Sequence, residues 1–264
     1  MLKIYTSEDD RAPELEHREG GFRTVLKACL VTGYGTKPPA GWTVQESGTS
    51  STFIPQDVST GCRYTVSNED ADVAKITAKH DDGTPFAEGW LNKRLLYITA
   101  PNRWICMADG KHCWLIVSAN KQNTNYYDAA AYYFGDVDTL DAHGEAGALF
   151  VPENKAYEYS SYRVIDGTPL QLSNGKKCRC NAANFQLSAN PANQIVLMPA
   201  WFFDNVSKTL EGFMPGWYST ASIIATTTLA IEKDVPEVGG KVLLFRISGT
   251  EYTPHLFTLL GEPA

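Results

Sequence analysis

The chain of 264 residues has no apolar run near the roughly 20 residues that a membrane-spanning helix needs. Its opening, MLKIYTSEDDRAPELEHREG, lacks the basic start, apolar stretch and small-residue cleavage site of a secretory signal. Such a chain is expected to be made in a cytoplasm, to stay there unless carried out, and to need no membrane partner. The familiar catalytic signatures are missing as well: G-x-S-x-G, a Walker loop, G-x-G-x-x-G between strand and helix, and H-E-x-x-H. Gly33-Tyr34-Gly35-Thr36-Lys37 looks superficially like a phosphate loop. Its glycines follow a helix instead of opening one, however, so a helix stop and turn accounts for them. Histidines number only five and are scattered. His112 is read as a strand residue beside a turn, opposite Met107, and not as a base.

Positive charge is in short supply: 30 acidic against 23 basic side chains give a net charge of -7. That argues against a protein that binds nucleic acid by neutralising phosphates over a broad face. The acidic run Asp136-x-Asp138-x-x-Asp141-x-His143-x-Glu145 fails as a calcium loop, because Leu140 stands fifth, Asp141 sixth and Gly147 twelfth. It reads as a solvated loop. Cys178-Arg-Cys180 and His112-Cys113 lack zinc-site spacing. The reading therefore assigns no catalytic residue, no cofactor and no metal. Without a secretory signal, the six cysteines are expected as free thiols. The Asp109-Gly110 turn signal between two apolar runs places Cys106 opposite Cys113, close enough to touch as thiols and to oxidise once the protein leaves a cell.

What the sequence does have is a folded, aromatic-rich composition, with 43% hydrophobic and 11% aromatic residues. One amphipathic helix is visible, with Phe22, Val25, Leu26, Cys29 and Leu30 on one face between Gly20-Gly21 and Gly33. The remainder is a series of short β-favouring runs: Trp42–Gln45, Arg63–Val66, Ala74–Ala78, Leu95–Thr99, the hairpin around Asp109-Gly110, Ala129–Phe134, Tyr159–Ile165, Gln194–Phe203, Ile223–Ala230, Lys241–Ile247 and His255–Leu260. The expected fold class is mainly β, an antiparallel sandwich or barrel-like sheet with one N-terminal helix. Residues 1–19, polar and anchored only by Leu2, Ile4 and Tyr5, are expected to form an arm. Residues 20–264 then form one β-rich domain. The stretch 135–147 is a long loop or a seam between two units, the loop being favoured because both flanks are β-rich. The irregular stretch Lys176–Asn193 is expected on the surface. In Ala129–Phe134, alternation puts Tyr132 and Phe134 on one face and Tyr133 on the other. Aromatic clusters such as Trp217-Tyr218 suit a core or a subunit contact better than a sugar platform.

Three stretches together resemble a family of tailed-bacteriophage virion structural proteins. The first is Tyr5-Thr6-Ser7-Glu8-Asp9-Asp10-Arg11-Ala12-Pro13 leading into Ala28-Cys29-Leu30-Val31-Thr32-Gly33-Tyr34-Gly35-Thr36-Lys37-Pro38-Pro39-Ala40-Gly41-Trp42. The second is Arg103-Trp104 through Ala108-Asp109-Gly110, with Tyr133-Phe134-Gly135-Asp136-Val137. The third is Glu211-Gly212-Phe213-Met214-Pro215-Gly216-Trp217-Tyr218, in which Glu211 stands where the family pattern has arginine and Met214 where it has leucine. The resemblance implies assembly and not chemistry: a non-enzymatic, oligomeric virion subunit, assembled in the host cytoplasm and contacting major capsid or tail proteins. The negative charge suits an outward-facing station better than a lining against DNA, which favours a head-associated decoration or minor capsid role over the neck, tail or baseplate. A host-surface carbohydrate binder is the rival class and a cell-wall hydrolase the third. Candidate subunit-contact residues are Leu2, Ile4, Tyr5, Trp42, Phe134, Trp217 and Tyr218.

Overall fold

A computed structural model describes residues 2–56, 59–93, 101–120, 129–140, 144–151, 169–181, 197–220, 230–235, 240–246 and 255–259; the expected strands Leu95–Thr99 and Tyr159–Ile165 and most of Ile223–Ala230 lie outside them. The chain is mainly β, as the short alternating runs require. It opens with β1 (Lys3–Thr6), then the helix α1 (Gly21–Lys27) continued by a π-helical turn (Ala28–Thr32). A five-stranded antiparallel meander follows: β2 (Thr43–Ser47), β3 (Ser50–Ile54), β4 (Arg63–Ser67), β5 (Val73–Lys79) and β6 (Pro85–Asn92). The remaining strands are β7 (Asn102–Ala108), β8 (His112–Asn120), β9 (Ala129–Thr139), β10 (Glu145–Phe150), β11 (Pro169–Leu172), β12 (Lys177–Asn181), β13 (Leu197–Asp204), β14 (Leu210–Thr220), β15 (Ala230–Val235), β16 (Gly240–Arg246) and β17 (His255–Leu259).

β9 through β14 close into a six-stranded barrel, because β9 pairs with β10 on one side and, near its end, with β14 on the other. The first half of β9 pairs with β8 instead, from Ser118↔Ala129 to His112↔Gly135, and beyond Gly135 the strand meets β14 at Thr139↔Gly212. Gly135 makes this change of partner feasible. Its φ is +144°, and a Cβ there would collide with the backbone of Lys111 and His112, so only glycine fits.

The wall β7–β8–β9 separates two apolar cores. Trp104, Cys106, Ala108, Cys113, Leu115, Tyr132 and Phe134 face the helix and the five-stranded sheet. Ile105, Met107, Trp114, Ile116 and Tyr133 face the barrel-side core with Phe150, Leu170, Phe202 and Met214. Burial on both faces is why Trp104–Ala108 and Cys113–Val117 read as unbroken apolar runs, whereas a half-exposed strand would alternate. The expected split of Tyr132 and Phe134 from Tyr133 is observed, and all five expected helix residues are buried.

The helix is capped at long range. Gly20 and its neighbours supply no side-chain cap, and the Phe22 N–H donates instead to Glu69 Oε1 at 2.6 Å. Glu69 is held in turn by Lys93 Nζ at 2.9 Å; both side chains are fully buried, and the ammonium lies 5.5 Å from the Phe22 ring. A carboxylate at a helix N-terminus satisfies an orphan N–H and favours the dipole.

Four expectations are corrected. Residues 1–19 do not stand off as an arm: β1 pairs with β7 from Lys3↔Ala108 to Thr6↔Ile105, and Tyr5 and Leu15 are fully buried. Backbone pairing with a sheet edge supplies what the polar side chains do not. The stretch 135–147 is neither loop nor seam among its described residues, because β9 and β10 pair through it from Glu145↔Asp138 to Ala148↔Gly135, with Val137 and Ala146 buried beneath. Lys177–Asn181, expected on the surface, is barrel strand β12 with Cys178 fully buried. The β7–β8 register is shifted by two: Ala108 faces Cys113, Met107 faces Trp114, and Cys106 faces Leu115. The Asp109 carboxylate causes this shift. It accepts the N–H groups of both Lys111 and His112 at 2.9 Å, which moves the turn onto Gly110-Lys111 and sets His112 opposite Asp109.

Candidate functional site

The motif residues meet in space, and their contacts hold the fold together. Trp104 Nε1 donates to the Pro13 carbonyl at 3.0 Å, Trp42 Nε1 to that of Asp109 at 2.5 Å, and Trp114 Nε1 to that of Pro215 at 2.9 Å. Two of these indoles join the first motif-bearing stretch to the second, and the third ties the neighbouring strand β8 to the third stretch. In the first stretch, Tyr34 donates its hydroxyl to Asp9 Oδ2 at 2.8 Å, Tyr5 to the Pro38 carbonyl at 2.8 Å, and Lys37 Nζ to the Ile4 carbonyl at 3.0 Å. Gly35, with φ of +53°, lies against the Asp10 carbonyl where a side chain would not fit. Burial and the bond to Asp9 both raise the Tyr34 hydroxyl above its ordinary range, so it stays a neutral donor.

These contacts decide the fate of the expected subunit-contact residues. Tyr5, Trp42 and Phe134 lie in the chain's own core, with Trp42 edge-on to Phe134 at 5.8 Å. They are corrected from subunit contact to core, since each ring finds partners within the chain. Leu2 and Ile4 are half-buried, Ile4 against the barrel-side core. The side chains of Trp217 and Tyr218 lie outside what the structure describes.

A polar seam joins the barrel to the loop ahead of β4. Thr60 donates to Asp136 Oδ1 at 2.6 Å, Tyr64 donates to the Gly135 carbonyl at 2.9 Å, Lys111 Nζ binds Glu145 Oε1 at 2.9 Å, and the Ser59 hydroxyl donates to the other Glu145 oxygen. The hydroxyl and ammonium hold Glu145 below its ordinary range, whereas burial raises Asp136, whose Oδ2 is buried with no partner. Beside them, His112 Nδ1 lies 2.9 Å from Asp109 Oδ1. Burial alone would raise Asp109, but His112 and the two turn N–H groups bring it down to about 2. The seam joins hydroxyl donors to carboxylate and carbonyl oxygens around one lysine–glutamate pair. Among the described residues, no three histidine, cysteine or carboxylate side chains are placed to hold a metal ion, and none of the described helices is long and apolar enough to cross a membrane.

The outward-facing feature is one end of the barrel. Three strand pairs end there, β9–β10, β11–β12 and β13–β14, with the last turning through Asn205–Thr209. The exposed large hydrophobic residues among those described all belong to this rim: Val206 at 88% exposure, Leu140 at 58%, Leu210 at 46% and Phe213 at 38%. The Leu140 N–H donates to the Glu211 carbonyl at 2.7 Å, and Phe213 faces Asp138, which brings the ends of β9 and β14 together. Only Val206, an apolar residue inside the polar turn Asp204-Asn205-Val206-Ser207-Lys208, carries a local sequence signal. Leu140 and Phe213 carry none, because pattern alone does not tell an outward from an inward apolar residue at a strand end. Comparison with known proteins returns no matching family model and no matching curated sequence.

Proposed function

We propose that the chain is a non-enzymatic structural subunit of a tailed-bacteriophage particle, head-associated as a decoration or minor capsid protein and oligomeric within the particle. The observation that carries this reading is the apolar rim. Among the described residues, most large apolar side chains fold into two cores while Leu140, Val206, Leu210 and Phe213 stay open at one barrel end, and clustered exposed apolar surface marks protein contacts. The motif resemblance supports the same reading, and the net charge of -7 suits a station facing away from DNA. In the particle, the rim would seat against another virion protein, with the two cores acting as a rigid mount. The test is mass spectrometry of purified virions separated into heads and tails. The chain is expected in stoichiometric amounts with the heads; recovery with tails moves the station, and absence from virions overturns the proposal.

A further inference from the structure

Three of the five cysteines described as free thiols converge under the N-terminal strand. Cys106 on β7 and Cys113 on β8 have their sulfurs 3.8 Å apart, and Cys29, in the π-helical turn, lies in the same buried core. All three are fully buried. Their cover is β1, a four-residue edge strand whose Tyr5 pairs directly with Cys106. Short edge strands open locally at far lower cost than the whole fold. Opening β1 is therefore a route by which a small molecule reaches the sulfurs.

We propose that Cys106 and Cys113 are a redox site that closes to a disulfide when the protein meets a hydroperoxide, with β1 as the gate. Cys106, on the strand directly beside the gate, gives up its proton and attacks the peroxide. The O–O bond breaks, hydroxide leaves, and Cys106 becomes a sulfenic acid. Cys113 then attacks that sulfur; the S–S bond forms, the S–O bond breaks, and the oxygen departs as water. Two thiols and one hydrogen peroxide give one disulfide and two waters. The sulfurs must close from 3.8 Å to about 2.05 Å, a shift within reach of side-chain rotation together with movement of the β7–β8 turn. The inference does not depend on the virion reading, although release from a reducing cytoplasm into air is a setting in which such a lock would form.

The test uses the full reduced chain treated with hydrogen peroxide, then denatured for thiol counting and intact mass. Two of six thiols are expected to disappear with a loss of 2 Da, and the tryptic peptides Trp104–Lys111 and His112–Lys121 to travel together until reduced. Cys29→Ala should behave as the parent does. Cys113→Ser and Cys113→Ala, confirmed as folded by circular dichroism, should not lose the 2 Da. A full count of six thiols, a Cys106 sulfinic acid, or a bridge from Cys106 to any other cysteine overturns the proposal.

Discussion

At the scale of single residues, two carboxylates respond to pH with opposite sign. Asp109 is held at about 2 in the fold, against roughly 3.9 in an unfolded chain. Its contribution, about 2 kcal/mol, is present above pH ~4 and lost as the pH falls through ~2. Asp109→Asn keeps an acceptor for the turn but loses the charge, so urea unfolding should show a loss of about 1–2 kcal/mol at pH 7 that shrinks below pH ~4 and closes as the pH falls through ~2. Asp136 is raised by burial, so its protonated form is favoured in the fold and its ionised form burdens the protein as pH rises. Asp136→Asn should raise the melting temperature at pH 7, with the gap narrowing as the pH falls toward 4. Little of this was legible in the sequence. Asp109-Gly110 announced a turn, yet the side chain of Asp109 set its register by binding two backbone N–H groups, a choice that turn statistics do not encode. Asp136 was read as a solvated loop acid because its burial depends on Thr60, which is distant in sequence.

Among the elements, the helix was the most legible, since its period of apolar residues needs no tertiary information. Its cap was not: Glu69 and Lys93 are 47 and 71 positions from Phe22, and a carboxylate and an ammonium in a polar sequence look like surface residues. Breaking a fully buried pair by removing one partner costs about 3–5 kcal/mol, whereas replacing both with apolar residues costs far less. Lys93→Met should therefore destabilise by about 3 kcal/mol or more in chemical denaturation, and Glu69→Leu with Lys93→Met should recover part of that loss, the Phe22 N–H being left without its acceptor. Equal damage in the single and double variants would show that the pair acts through something besides its charges. The strands β7, β8 and β9 show why apolar runs mislead. Burial on both faces erased alternation in Cys113–Val117, and in Ala129–Phe134 the two faces were assigned by the strand's period of two alone.

For the whole molecule, composition and turn spacing indicated a β-rich fold, and the six-stranded barrel with its adjoining five-stranded sheet agrees with them. Closure was not legible, because the pairing of β9 with β14 joins residues more than 70 positions apart and rests on a partner change at Gly135. The motif-bearing stretches draw the eye as sites, but their tryptophans and tyrosines staple the chain to itself, and the outward-facing residues lie at a barrel end with almost no sequence signature. The central claim is that this rim seats the chain in a virion. It is tested most directly by supplying Leu140→Asp/Phe213→Asp in place of the parent chain during phage growth and quantifying the chain per purified particle by mass spectrometry. Exposed positions tolerate such changes with little loss of stability, so the variant should stay folded by circular dichroism while its incorporation falls at least about tenfold, as expected for a loss of roughly 1.4 kcal/mol or more of contact energy. Incorporation of the folded variant at the parental level would contradict the account.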